Sequence, residues 1–192
     1  MVGLSYNTLG NTHQFYTQLD SSLFYHRKAL LFRKKNNDTL GIADSYNNIG
    51  IAFDSKGNFD EALKHYFEAL KFYEKKRDNN KIAMTMVNIG IVYKAQKEYK
   101  KAYFYCKKAN ELYEKLNSEF GIAVTSGNLG SLFINFKSYT NSLKYSKKAK
   151  IGYEKLNYER YVAYPISNIA IAYDSLHKYE EANKNPSSPK YP

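Results

Sequence analysis

The chain has 192 residues, with 29 Lys or Arg against 18 Asp or Glu, and its formal net charge is +11. Its hydrophobic content of 43% excludes a disordered chain. The single cysteine, Cys106, excludes an internal disulfide framework and a zinc site built from cysteines.

The N-terminal residues lack the basic stretch and apolar core of a secretory signal. Farther along, no apolar run approaches the roughly 18 residues that would span a bilayer. We therefore expect a cytoplasmic protein without a membrane span. Because the repeated pattern begins directly after Met1, the chain is also interpreted as a fragment of a longer protein.

The dominant feature of the sequence is a repeat with a period of 40 residues. One triplet recurs as Asn48-Ile49-Gly50, Asn88-Ile89-Gly90, Asn128-Leu129-Gly130 and Asn168-Ile169-Ala170. Aromatic residues recur in the same register at Phe53, Tyr93, Phe133 and Tyr173. Several columns in one register indicate an array of repeated structural elements.

Each repeat predicts two helices, as residues 39–78 illustrate. Ile49 and Phe53 are spaced for one face of a first helix, and Gly57 interrupts the pattern. Asn58, followed by Glu61, predicts the N-cap of a second helix. A single pair cannot bury both of its faces, so stacked pairs are expected to share a continuous core.

The spacing predicts a repeat array over residues 1–184, with repeats at about 1–38, 39–78, 79–118, 119–158 and an incomplete one at 159–184. Pro165 is expected in the first turn of the last first helix. Tyr179 stands in the column where each second helix begins, so we expect a second helix to start there and stop early. Three prolines lie within residues 185–192, which predicts an extended or disordered tail.

The pattern resembles the tetratricopeptide repeat. The resemblance rests on small and aromatic residues in the second repeat: Tyr46, Ile49-Gly50, Phe53, Gly57, Phe59, Ala62, Tyr66 and Ala69. The longer period is similar to repeats of kinesin light chains, Asn-Leu-Gly adaptors and bacterial signalling proteins. This resemblance implies an all-α, right-handed α-α superhelix (solenoid) of about 4.8 two-helix repeats, whose first helices line a concave groove.

Groove residues follow from the helical spacing of the first helices. The most regular column consists of asparagines, at Asn48, Asn88, Asn128 and Asn168. An amide can both donate and accept, so such a row could hold the backbone of an extended peptide. It could equally bond to the neighbouring helix and fix the angle between repeats, and both interpretations stay open.

Variable groove columns are expected to determine which partner binds. They contain Asp44, Asn47, Ile51, Asp54, Met84, Val87, Ile91, Lys94 and Val124. The apolar members favour a peptide with apolar anchors, and the single lysine disfavours a clamp for chaperone carboxylates. We therefore predict a non-enzymatic scaffold that binds a peptide or protein segment, as the sensory or adaptor part of a larger signalling protein.

No catalytic residue, metal site or cofactor is predicted, because the four histidines fall in different columns and the glycines do not form a phosphate-binding loop. The whole charge excess falls on the four complete second helices, so one alternative is a basic outer surface that binds nucleic acid or an anionic surface. The preference for Lys over Arg disfavours nucleic acid. Another alternative is a structural spacer that self-associates through an uncapped C-terminal end. The sequence does not identify the partner or the pathway.

Overall fold

The structure, a computed structural model, describes residues 2–184 and the side chains of residues 2–177. This part of the chain contains nine α-helices, one short 3₁₀ helix at Glu159–Tyr161, and no β-strand. The helices are α1 (Val2–Phe15), α2 (Leu19–Lys35), α3 (Thr39–Ser55), α4 (Phe59–Lys76), α5 (Asn79–Ala95), α6 (Tyr99–Lys115), α7 (Glu119–Asn135), α8 (Tyr139–Lys155) and α9 (Ala163–Lys184). The predicted all-α repeat fold is confirmed.

One residue in the left-handed backbone region ends each of the first eight helices. These residues recur every 20 positions, at Thr17, Asn37, Gly57, Arg77, Lys97, Asn117, Lys137 and Asn157, with φ between 51° and 73°. Only Gly57 is a glycine, so most of these turns place a side chain in a conformation that costs roughly 1–2 kcal/mol. Each repeat is thus built from two halves of equal length.

The two kinds of helix begin differently. Three first helices have side-chain caps: Asp38, Asp78 and Ser118 accept the backbone N–H groups of Gly41, Lys81 and Gly121 at 3.0, 3.1 and 3.3 Å. Asn58 is the N-cap residue of α4, as predicted, but its side chain makes no capping hydrogen bond. At α4 the acidic side chains of Asp60 and Glu61 lie in the first turn instead, where they complement the helix dipole.

The chain divides into two compact units, Met1–Glu98 and Tyr99–Pro192. In unit 1 the helices α1 to α5 pack in succession, and α3 also contacts α1 and α5. In unit 2 the helices α6 to α9 pack in succession, and α7 also contacts α9. First helices therefore lie beside one another within each unit.

Glycines allow the two helices of a repeat to approach closely. A Cβ atom added to Gly50 would lie 2.7 Å from the ring of Tyr66, and one added to Gly10 would lie 2.5 Å from the ring of His26. No side chain can be added at such separations unless the partner ring moves. Ala170 stands in the same column of the last repeat and is exposed, because no described helix crosses α9 there.

The last repeat departs from the prediction. Where a turn was expected before a second helix, α9 continues unbroken to Lys184. Its first turn contains Pro165, as predicted, and this residue is buried. The face that would receive a second helix remains exposed at Ile166 and Tyr173. The predicted tail at 185–192 lies outside the described residues.

Polar side chains also connect successive repeats of unit 1. Lys56 Nζ donates to Asp20 Oδ1 at 2.6 Å, and Gln96 Nε2 donates to Asp60 Oδ1 at 3.1 Å. Both bonds join residues 36 positions apart in the sequence. They are exposed, so each is expected to contribute less than about 1 kcal/mol.

Candidate peptide-binding surface

The candidate site in unit 1 is the surface formed by α1, α3 and α5. These are the first helices of three successive repeats, and α3 lies between the other two. Their small-residue faces pack against second helices, which leaves the Asn column and its neighbours toward the outside. Below, this area is called the first-helix surface.

Asparagine amides link the three helices of the first-helix surface. Asn48 Nδ2 on α3 donates to Asn7 Oδ1 on α1 at 2.7 Å. Asn88 Nδ2 on α5 donates to Asn47 Oδ1 on α3 at 3.4 Å. Both bonds span 41 residues, so the same contact is repeated from one repeat to the next. The interpretation that these amides bond to the neighbouring helix therefore describes part of their role in unit 1.

These bonds use only part of each amide. A side-chain amide has two N–H donors and one oxygen acceptor. The oxygens of Asn48 and Asn88 accept no hydrogen bond from the described residues, and neither atom is shut off from solvent. Each amide is thus bonded to the preceding repeat through one N–H, while its oxygen keeps access to solvent.

The Asn column behaves differently in unit 2. Asn128 Nδ2 donates to the carbonyl oxygen of Val124 on its own helix at 3.1 Å. Asn168 Nδ2 donates to the carbonyl oxygen of Gly127 at 3.4 Å, and Asn168 is only 4% exposed. The Asn168 bond spans the same 41 residues as the amide pairs of unit 1, but it ends on a backbone carbonyl because Gly127 has no side chain, whereas the Asn128 bond stays within its own helix.

The remaining predicted residues divide into buried and accessible groups. Asn47 and Val87 are buried between helices. Ile51, Met84 and Lys94 in unit 1, and Val124 in unit 2, are half-buried. Ile91 is 37% exposed. Met84, Asn88 and Ile91 follow one another on the outward side of α5, so that one amide lies between two apolar side chains.

The two acidic residues of the first-helix surface have different environments. Asp44 Oδ1 accepts from the Tyr73 hydroxyl at 2.6 Å and from Lys81 Nζ at 2.9 Å. Burial and the bond to Asp44 raise the pKa of Tyr73. Asp54 is half-buried and forms no ion pair with the described residues. Partial burial raises the pKa of the Asp54 carboxyl, which makes a cationic partner favourable there.

Sequence reasoning missed the partners of these residues. Asn7 accepts a hydrogen bond from Asn48, yet it was not predicted as a site residue. In the column that contains Asn7 and Asn47, only Asn47 and Val87 were predicted. Tyr73 and Lys81, which both donate to Asp44, were not among the predicted site residues. The signal that could have identified Asn7 was the doubled Asn47-Asn48, which places an acceptor one position before a donor in the same repeat.

Within the described residues, no cluster of three His, Cys, Asp or Glu side chains could hold a metal ion, and no helix is long and apolar enough to cross a membrane. Cys106 is buried. His26 is also buried, and burial together with the nearby Arg33 guanidinium lowers its pKa to about 4.

The sequence pattern of the tetratricopeptide repeat matches residues 43–76 and again residues 85–116. No curated protein matches the chain. The structure is similar to that of BtubC (BKLC) from P. vanneervenii, with a TM-score of 0.80 and 18% identity over 100% of this chain and 85% of that one.

Two further solved structures are similar. The apo form of RapI has a TM-score of 0.78 and 21% identity, over 95% of this chain and 71% of RapI. A signal transduction ATPase with numerous domains and a tetratricopeptide repeat sensor, from Pyrococcus horikoshii, has a TM-score of 0.79 and 20% identity over 97% of this chain. The matched part is 30% of that ATPase. At these identities the likeness shows the fold alone.

Proposed function

Because the chain belongs to the tetratricopeptide repeat family, we propose that it is a protein-interaction scaffold whose first-helix surface binds an extended peptide. The proposal assigns it no catalytic step and places it in the cytoplasm. Within a larger signalling protein it would form the sensory or adaptor part. The sensor of the Pyrococcus horikoshii ATPase supports that role by analogy of fold.

The observation that carries the proposal is the partly used amide pair of Asn48 and Asn88. One N–H of each amide is bonded to the preceding repeat, which fixes the side chain before any ligand arrives. The remaining oxygen and N–H can pair with a peptide N–H and C=O. Since such groups occur at every peptide residue, they would bind a backbone without reading its sequence. Pre-orientation lowers the entropy cost of binding.

Side chains around the amides would supply selectivity. Met84 and Ile91 flank Asn88 on α5, and Ile51 occupies the column of Ile91 on α3. They favour a peptide with apolar residues on both sides of the point where Asn88 binds. Asp54, a half-buried carboxylate without an ion pair among the described residues, favours a Lys or Arg in the same peptide.

The test must separate binding from the structural role of the amides. Asn88→Ala removes both the bond to Asn47 and the outward oxygen. Asn47→Ala removes the same inter-repeat bond but leaves the amide of Asn88 in place, so it is the matched control. We expect both variants to lose similar stability, at about 1 kcal/mol for one hydrogen bond.

Peptides that bind the wild-type chain would be selected from a random 12-residue display library. Their dissociation constants would then be measured by fluorescence anisotropy. Asn88→Ala should raise the dissociation constant by about fivefold or more, which is equivalent to the loss of one hydrogen bond of roughly 1 kcal/mol. Asn47→Ala removes only the pre-orientation of the Asn88 amide, so it should raise the dissociation constant less, by about twofold. Equal affinities for wild type and Asn88→Ala would contradict the proposal, as would equal losses in both variants.

The exposed face of α9 supports a second candidate role, self-association. Ala163, Ile166, Ala170 and Tyr173 are exposed and are spaced by three and four residues, so they form one stripe. Two copies of this stripe could pair around a two-fold axis, because small and large side chains would alternate across it. Sedimentation of wild type and Ile166→Glu would test this. A wild-type monomer at high concentration would eliminate the role.

A further inference from the structure

The outward face of α2 exposes two large apolar side chains. Phe24 is 55% exposed and Leu31 is 65% exposed. They are seven positions apart, so they project from the same side of the helix. The opposite side, with Leu23, His26 and Ala29, is buried. Exposing this much apolar surface is a cost to a soluble domain unless something covers it.

Unpaired cations surround these two apolar side chains. Arg27, Lys28, Lys34 and Lys35 are all exposed, and none of them forms an ion pair with a carboxylate among the described residues. The one acidic residue of α2, Asp20, is bonded to Lys56 on α3. Arg27 and Lys34 lie toward α3, at 5.9 Å from the centre of the Phe53 ring and 5.3 Å from the centre of the Tyr46 ring. The outward face of α2 therefore combines two apolar anchors with Lys28 and Lys35, and two further cations lie at its α3 edge; none of the four has a counter-ion among the described residues.

Other second helices do not share this combination. On α4 the columns of Phe24 and Leu31 hold Lys64 and Lys71, which pair with glutamates of their own helix at 3.3 and 2.5 Å. The α6 helix has Phe104 in the first column but Glu111 in the second.

The α8 helix also carries five basic residues and one acid, and all five are lysines. Its lysines are largely neutralised: Lys148 pairs with Glu114 at 2.8 Å, Lys150 pairs with Glu154 at 2.6 Å, and Lys155 pairs with Glu119. Ile151 occupies the column of Leu31, but Lys144 replaces Phe24. A similar net charge on α8 thus leaves few free cations and one apolar anchor.

We propose that the outward face of α2 docks the protein on an anionic phospholipid surface. Phe24 and Leu31 would enter the boundary between headgroups and acyl chains, where interfacial helices bury their apolar residues. Lys28 and Lys35 would contact the headgroups, with their aliphatic stems lying along the apolar layer, while Arg27 and Lys34 would add positive charge at the α3 edge. Clusters of basic residues next to apolar anchors are attracted to membranes that contain anionic lipids.

The same observations disfavour nucleic acid as the occupant. Lys28 Nζ lies 5.4 Å from the centre of the Phe24 ring, so the ring face on which a base would stack already carries a cation. A phosphate backbone offers no apolar group for the Leu31 side chain to pack against. Three of the four free cations are lysines, which bind phosphates less specifically than arginine does.

The chain contains no tryptophan, so a single introduced tryptophan reports on one site. Leu31→Trp would be mixed, in the full chain, with vesicles of 30% phosphatidylserine and 70% phosphatidylcholine. We expect its emission to shift to shorter wavelength as the ring leaves water. The matched control is Ile151→Trp on α8, which should show no shift because Ile151 is also exposed, at 62%, but lacks the free cations.

Binding would be measured by vesicle co-sedimentation. Lys28→Gln/Lys35→Gln should weaken binding roughly thirtyfold, at about fivefold per cation near an anionic membrane. Phe24→Ser/Leu31→Ser should weaken it at least about tenfold through lost apolar burial, while Lys144→Gln/Ile151→Ser should stay within about threefold of wild type. Circular dichroism confirms that each variant keeps its helix content. Equal emission shifts for Leu31→Trp and Ile151→Trp would overturn the proposal, as would equal binding to vesicles of pure phosphatidylcholine. It would also be overturned if the protein bound a 20-nucleotide RNA more tightly than the vesicles, in a way that does not depend on Phe24 and Leu31.

Discussion

Acid should destabilise unit 1 chiefly through the buried histidine His26, although burial also lowers the pKa of His65. The ring of His26 is fully buried against Gly10, and neither ring nitrogen has a hydrogen-bond partner among the described residues. Burial disfavours the charged ring, and the Arg33 guanidinium adds repulsion, so the pKa is lowered from 6.5 to about 4. The folded protein therefore holds His26 neutral over a range in which the unfolded chain would protonate it.

The sign and size of the effect follow from this difference. Between pH 6.5 and 4 the unfolded state binds the additional proton, so the free energy of unfolding falls as the pH is lowered. The gap from 6.5 to about 4 corresponds to about 3 kcal/mol, at roughly 1.4 kcal/mol per pH unit. Nearly all of that stability is present above pH 6.5, and it is lost by about pH 4.

The assay compares urea unfolding of wild type with His26→Tyr and His26→Phe at several values from pH 7.5 to 4. Tyrosine is the natural choice because Tyr66 occupies the same column and packs against Gly50. Carboxylates titrate in all three proteins, so their contribution cancels in the differences. Wild type should lose about 3 kcal/mol more than either variant. Parallel loss in all three proteins would refute the reasoning.

Three further changes are predicted, each to be measured by urea unfolding. Ser142→Ala should stabilise the protein by about 1 kcal/mol, because the serine hydroxyl is buried without a hydrogen bond; no gain would contradict this. Arg33→Met should cost about 1–3 kcal/mol, because the buried guanidinium donates to both the Gly41 carbonyl and the Ser45 hydroxyl at 2.8 Å, and methionine can replace neither hydrogen bond; a neutral result would mean that these two bonds contribute no net stability. Gly50→Ala should cost about 1–2 kcal/mol, since crowding against Tyr66 outweighs the gain in helix propensity; a stabilised variant would show that the two helices can separate freely.

The helices were predictable because their periodicity is repeated. The glycine column, for example, marks where the helices of a repeat cross, and Ala170 departs from it where no described helix crosses. The turns were less predictable, since Thr17 and Lys97 adopt positive φ although neither is a residue type that favours this conformation. The unbroken α9 was not predicted, because residues 175–178 contain neither Gly nor Pro to mark whether the chain turns.

The candidate site was predictable only in outline. Helical spacing predicted Asn48 and Asn88 on the outward side of first helices, and both residues are half-buried. The pairing of Asn48 with Asn7 depends on the offset between neighbouring repeats, which one helix cannot reveal. The bond between Tyr73 and Asp44 joins two different helices, so it could not be inferred from columns alone.

The regular spacing of contacts has a consequence for how the chain folds. The amide bonds between repeats span 41 residues and the other polar links of unit 1 span 36, so a repeat finds its partners in the adjacent sequence. Short loop closures carry a small entropic cost, and proteins dominated by local contacts fold rapidly. Such an array can nucleate at any well-packed pair of helices and grow outward one helix at a time. Each nascent repeat could therefore begin to order as it leaves the ribosome, before the rest of the chain exists.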